Sequence, residues 1–232
     1  MSYDTAITTF SPNGQLLQVE YALEAVKIGN CTIGFKTKDH VILAVEKKVT
    51  KKLQDTRSFK KICLIDHHIV SAFTGLGADS RVVVNRARIE AQQFKLNYDD
   101  LPSVDFISKK ISSLMQKYTQ TGGARPFGMS IMVAGINKNG EVRLNQIDPS
   151  GMITGYKANA IGKNQKQVVE FLEKHYKEEA SLEEGLKIVA KCLANNIDNP
   201  KKNSEFCIVG KEGIRFLSNE ELEDLYKQAE AE

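Results

Sequence analysis

Apolar positions change their spacing several times along this chain, and each change marks an element. Leu16, Val19, Leu23 and Val26 recur at helical spacing and predict an amphipathic helix over 15–28, ended by Gly29. Ser11-Pro12-Asn13-Gly14 before it suits a type I turn, with proline pre-set at the second position and glycine at the fourth. From Asn30 the period becomes two, with Cys31, Ile33 and Phe35 alternating against Thr32, Gly34 and Lys36. After the polar turn Thr37-Lys38-Asp39, the unbroken apolar run VILAV (41–45) reads as a strand buried on both faces. KICLI (61–65) and IVSAF (69–73) form a second hairpin across Asp66-His67-His68.

Two helices follow, one from about Ala78 to Leu96 and one capped by Ser103 with Val104, Ile107, Ile111, Leu114 and Tyr118 on one face. Strands resume at 127–136, turn at Asn139-Gly140 and return as EVRLNQI. Asp148-Pro149-Ser150-Gly151 turns again, and short strands run to Ile161. Asn164 opens a further helix, Ser181-Leu182-Glu183-Glu184 is a capping box for the next, and EFCIVG and GIRFL pair as a hairpin. Ser218-Asn219-Glu220-Glu221, a second capping box, starts a terminal helix. Hairpins imply antiparallel sheets, and strands apolar on both faces need cover on both. The pattern predicts an α+β, four-layer αββα sandwich: two antiparallel sheets packed together, with a helix pair outside each. No linker rich in Gly, Pro or Ser divides the chain, so 1–232 reads as one domain. Its parts are an arm and turn (1–14), a helix (15–28), the sandwich (30–217) and a terminal helix (218–232).

Composition narrows the function classes. The 32 basic and 29 acidic residues leave a net charge of +3, too mild for a nucleic-acid-binding face. The lysine pairs 47–48, 51–52, 60–61 and 201–202 read as solvated turns. No apolar run approaches a bilayer span and the start lacks a secretory pattern, so a cytosolic or nuclear location is expected. Cys31, Cys63, Cys192 and Cys207 sit apart in apolar stretches and read as reduced core thiols. Thr74–Ser80 lies where a phosphate loop would, but the third glycine of G-x-G-x-x-G is absent and Ser80 stands in its place. His67-His68 show no third ligand, and His40 and His175 stand alone, so these histidines read as structural and no metal or cofactor is expected.

YDTAITTFSPNGQLLQVEYALEAV resembles the N-terminal signature of proteasome α-type subunits. LQDTRSFKKI, FTGLGADSR, NRARIEAQ, YTQTGGARPFG, DPSGMITGYKANAIG and EFLEKHY agree with it in order over nearly the whole chain. KLQDTR, RARIEAQ, RPFG and NAIGKNQK…EFLEKHY look most like the eukaryotic type 7 (alpha-4) class. The resemblance implies the fold of N-terminal nucleophile hydrolases and a place in a seven-membered outer ring. That ring stacks on β subunits, some of which cut peptide bonds, and serves ubiquitin-dependent protein degradation in cytoplasm and nucleus. Other α subunits, β subunits and a regulatory particle or other activators are the implied partners, with no membrane or nucleic acid.

Such hydrolases need Thr, Ser or Cys at the start of the first core strand, where the freed α-amino group acts as base. Catalytic relatives carry threonine where this chain has Asn30, whose carboxamide has no oxygen to deprotonate, so no catalytic residue is expected here. By resemblance, Tyr3, Asp4, Pro12 and Tyr21 match a cluster that sets whether the N-terminal arms cover the axial pore. Lys61 matches a lysine that meets the carboxylate of activator tails in a pocket between α subunits, with Leu16 and Gly29 lining the same pocket and Lys60 the alternative by one register. Thr5 stands where many relatives carry arginine, and the chain ends LYKQAEAE in place of a lysine-rich tail. The other readings are an active N-terminal nucleophile amidohydrolase and a free-standing RNA-binding or scaffold protein.

Overall fold

The computed structural model describes residues 6–47, 53, 60–197 and 199–231. Helix α1 (Leu17–Ile28) leads into β1 (Thr32–Lys36), β2 (Val41–Glu46), β3 (Ile62–Asp66) and β4 (Ile69–Gly75). Helices α2 (Gly77–Tyr98) and α3 (Val104–Gln120) come next, then β5 (Met129–Ile136), β6 (Val142–Ile147), β7 (Ile153–Gly155) and β8 (Ala158–Ile161). The chain closes with α4 (Gln165–His175), α5 (Leu182–Ala194), the short α6 (Pro200–Asn203), β9 (Ser204–Gly210), β10 (Gly213–Phe216) and α7 (Asn219–Ala231). The strands make two five-stranded antiparallel sheets, ordered β10-β9-β2-β1-β8 and β3-β4-β5-β6-β7.

Strand alternation explains the layers. In β2, Ile42 and Ala44 join Ile33, Phe35, Val189, Leu193 and Tyr226 in a core beneath α4, α5 and α7. Val41, Leu43 and Val45 point the other way and meet Val70, Ala72, Met132 and Leu144 between the sheets. Ile69, Phe73, Ile131 and Val133 of the second sheet form a third core with Val83, Val84, Ile107 and Ile111 of α2 and α3. β2, β4 and β5 each feed two cores at period two, which is why they read as unbroken apolar runs. Each fully buried Leu, Ile or Val contributes about 1.5–3 kcal/mol of transfer free energy.

The sandwich has the αββα layers expected of its sequence, with differences of detail. α7 buries Leu222, Leu225, Tyr226 and Ala229 against the first sheet, so that helix layer holds three long helices rather than a pair. Both capping boxes form: Ser181 with Glu184, and Ser218 with Glu221 through the Ser218 amide and hydroxyl. Asn164 precedes α4 in the left-handed region with no side-chain cap. At Asn139-Gly140 the turn is wider than two residues: Gly140 N donates to Asn137 O at 2.8 Å, and only Gly140 takes positive φ. The apolar face of α3 is rotated by one position, burying Met115 and Thr119 where Leu114 and Tyr118 are half-buried.

In α1 the buried stripe is Val19, Ala22 and Val26, not Leu16 and Leu23. α1 lies on the ends of β4 and β5, where small residues permit close approach: a Cβ on Gly128 would meet Leu76 and Ala25. The helix stripe is thus covered by this chain's own strands. Tyr21 and Ile28 remain on the outside, 50% and 82% exposed.

Candidate functional site

The start of β1, where a hydrolase of this fold would carry its nucleophile, is a packed junction. Gly29 closes α1 by donating its amide to Val26 O at 3.0 Å. A Cβ on Gly29 would lie 2.3 Å from Thr74 Oγ1 and 2.5 Å from Gly75 N, so only glycine fits without a shift of backbone. The Thr74 hydroxyl donates to Asn30 O at 2.7 Å, and Lys163 N donates to Gly29 O at 2.8 Å. Asn30 Nδ2 donates to Glu46 O at 3.1 Å, which holds the carboxamide in a structural bond. The neighbouring Cys31 is buried, and burial first, with Cys192 and Glu46 beside it, pushes its thiol up to about 12. A thiol so protonated is no nucleophile at neutral pH.

The loop that follows β4 is fixed with equal care. Gly75 takes φ +96°, and a Cβ there would meet Gly128 O at 2.3 Å, whereas Gly77 opens α2 with free space around it. Only the first of the two glycines is required by the strand-to-helix turn. Asp79, in the first turn of α2, is buried and accepts from Arg125 Nη1 and Nη2 at 2.6 and 2.8 Å and from Gly128 N at 3.0 Å. The Arg125 bonds hold its carboxyl below the usual carboxylate range, against the opposing effect of burial. This clasp joins the ADSR and ARPFG segments, and its members lie too far apart in sequence to be paired by spacing.

The residues expected to gate or to dock are distributed as follows. Tyr3, Asp4 and Thr5 lie outside the described residues. Pro12 is exposed in the Ser11–Gly14 turn, which is closed by Gly14 N to Ser11 O at 2.8 Å, and Tyr21 is exposed on α1. Lys61 is buried, with Nζ 4.9 Å from the centroid of the Phe73 ring. Burial pulls its ammonium below the ordinary lysine range, and Glu46 opposes that. Lys61 and Gly29 thus border successive residues of one strand end, Phe73 and Thr74. Leu16 does not join them: the 12 residues of α1 put it about 18 Å along the helix from Gly29. Lys60 instead lines a cavity of about 550 Å³ with Cys63, Arg81, Arg88 and the first turn of α2. Cys63 is therefore half-buried rather than a core thiol, unlike Cys31, Cys192 and Cys207.

The β3–β4 turn holds a group that spacing alone does not reveal. The donors of Asp66, His67 and His68 lie within 4.8 Å of one another, so the folded turn brings a third donor, the carboxylate of Asp66 at the end of β3, beside the two histidines. An aspartate at a hairpin turn carries no mark that separates a ligand from an ordinary turn residue. Lys95 of α2 reaches the same carboxylate, its Nζ 2.6 Å from Oδ1.

Comparison with known proteins supplies the family. Residues 26–211 match the model of the Proteasome subunit family, and residues 3–25 match the model of the N-terminal signature of its A-type members. The chain is 46% identical over 231 residues to Proteasome subunit alpha type-7 of Dictyostelium discoideum, covering 99% of this chain and 92% of the relative. It is 47% identical to Proteasome subunit alpha type-7 of Cicer arietinum and to Proteasome subunit alpha type-7-like of Macaca fascicularis, covering 99% of this chain and 93% of each.

Proposed function

Because the chain belongs to the proteasome subunit family and carries the family's A-type N-terminal signature, we propose that it is a non-catalytic α-ring subunit of the core particle. In this reading it builds the outer ring with other α subunits, rests on β subunits that hold the active sites, and works in ubiquitin-dependent degradation in cytoplasm and nucleus. The observation that carries the non-catalytic part is the closed junction at Gly29–Asn30–Cys31. A carboxamide held by Glu46 and a buried, protonated thiol offer no nucleophile at the place where the fold would need one.

Gating is assigned to the arm, with Tyr3, Asp4, Pro12 and Tyr21 forming its contacts; the exposure of Pro12 and Tyr21 supports a role outside this chain's own core. Activator docking is assigned to Lys61. A charged hydrogen bond from Lys61, held over Phe73, to an incoming carboxylate would contribute roughly 1.5–3 kcal/mol. Since Leu16 and Gly29 stand at opposite ends of α1, a pocket the width of a peptide tail takes one of them from each of two neighbouring subunits. The test is the native mass of the endogenous complex and the chains that co-purify with it. A large particle containing other α-type and β-type subunits is expected; a species of single-chain mass, or a lone chain that digests proteins, overturns the assignment.

A further inference from the structure

The turn between β3 and β4 is built like a metal site. Asp66 Oδ2 and His68 Nδ1 are both buried without a hydrogen-bond partner, and they face one another at 3.9 Å. The Asp66 side chain is only 5% exposed, so the orphaned oxygen has no recourse to bulk water. His68 Nε2 lies 2.8 Å from Pro102 O, a carbonyl that can only accept, so Nε2 carries the proton and Nδ1 presents its lone pair. A ring nitrogen that donates to a backbone carbonyl while the other is left bare is the usual outer-shell arrangement of a metal-bound histidine. His67 adds a second imidazole: its Nδ1 is 3.0 Å from Asp66 Oδ1, and its side chain is 61% exposed, which leaves a path from solvent.

We propose that Asp66, His67 and His68 form a binding site for a divalent transition-metal ion of the zinc type, with a solvent molecule as fourth ligand. Two imidazoles and one carboxylate suit such an ion, in contrast to calcium or magnesium, which prefer oxygen donors alone. A tetrahedral ion holds donors about 3.3–3.5 Å apart. His67 Nδ1 is 3.0 Å from Asp66 Oδ1, His68 Nδ1 is 3.9 Å from Asp66 Oδ2 and the donors of all three residues lie within 4.8 Å, so side-chain rotations that draw both rings toward the carboxylate close the site. Lys95 now fills the cation's role, with Nζ 2.6 Å from Asp66 Oδ1 and 3.5 Å from His67 Nδ1. Its flexible stem springs from the last turn of α2, so the ammonium can yield to an ion and turn to solvent. An ion here would tie the β3–β4 turn to the α2–α3 connection through His68 and Pro102.

The test is calorimetric titration of the full-length chain with Zn²⁺ alone, repeated with Co²⁺ to read the ligand set in the visible spectrum. The expected result is saturable binding with nitrogen and oxygen ligation and no thiolate charge transfer, which separates this site from Cys63. His67→Ala, an exposed position that cannot upset the core, should weaken binding by roughly tenfold or more, and Lys95→Gln should tighten it. Absence of saturable binding overturns the proposal, as does equal affinity in the wild-type and His67→Ala chains.

Discussion

Asp79 is the most heavily bonded side chain of the β4–α2 junction, and its partners come from the segment between α3 and β5. Arg125 grips both carboxylate oxygens while Gly128 N shares one of them, so a single carboxylate fixes the entry to β5. The Arg125 side chain is 62% exposed, and solvent screening reduces what the charge pair contributes. Asp79→Asn, which keeps the shape and loses the charge, should lower unfolding stability by about 1–2 kcal/mol in urea titrations. The sign with pH follows from the depressed carboxyl: its contribution is complete above the unfolded value near 3.8 and disappears as pH falls through the lower folded value. The difference between wild type and Asp79→Asn should accordingly shrink in acid, and a gap that stays constant from neutral pH to about pH 3 would assign the loss to packing alone.

At the scale of elements, α1 and β1 are locked to β4 by the absence of a single methyl group. Gly29→Ala drives a Cβ into Thr74 Oγ1 and Gly75 N, so the backbone of the junction must move and the Thr74–Asn30 bond must stretch. A loss of about 1–3 kcal/mol is expected in denaturant unfolding, of the kind overpacking produces. Gly77→Ala is the matched control, since nothing lies within 4 Å of its added Cβ; it should be neutral or stabilise by about 0.4–1 kcal/mol. Equal effects from the two substitutions would mean that the junction is slack. Element identity and order are legible in the sequence because turns and caps are local devices: Ser103, Ser181 and Ser218 each cap the helix they precede. The rotated faces of α1 and α3 are less legible, because Ala22 and Thr119 are buried by what they pack against rather than by their own character. The clasp of Asp79 by Arg125 and the inward turn of Asp66 depend on distant elements meeting, which local spacing does not encode.

At the scale of the molecule, the proposed function gives gating to the arm and ring-building to the sandwich. Because α1's apolar stripe is already satisfied by β4 and β5, removing the arm should leave the fold intact and act only on the assembled particle. Deletion of residues 2–10 is expected to raise basal hydrolysis of small peptides by the whole particle without altering its assembly; unchanged hydrolysis would remove this arm from the gate. Asn30 stands out in the sequence only against the family pattern, and the packing of its junction gives that position a physical basis that spacing could not. The pairing of β2 with β9 is another matter. Val41 sits opposite Val209 and Ile42 opposite Ile208, so the middle of the first sheet is made from the two ends of the chain. The second sheet, by contrast, is complete by Gly155. During synthesis on the ribosome, half of the sandwich can therefore close early while β1 and β2 wait, greasy on both sides and open along one edge, until almost the last residues emerge. Between the emergence of Gly155 and that of Ser204 the nascent polypeptide is a sticky half-structure, in need of a shield against its own kind.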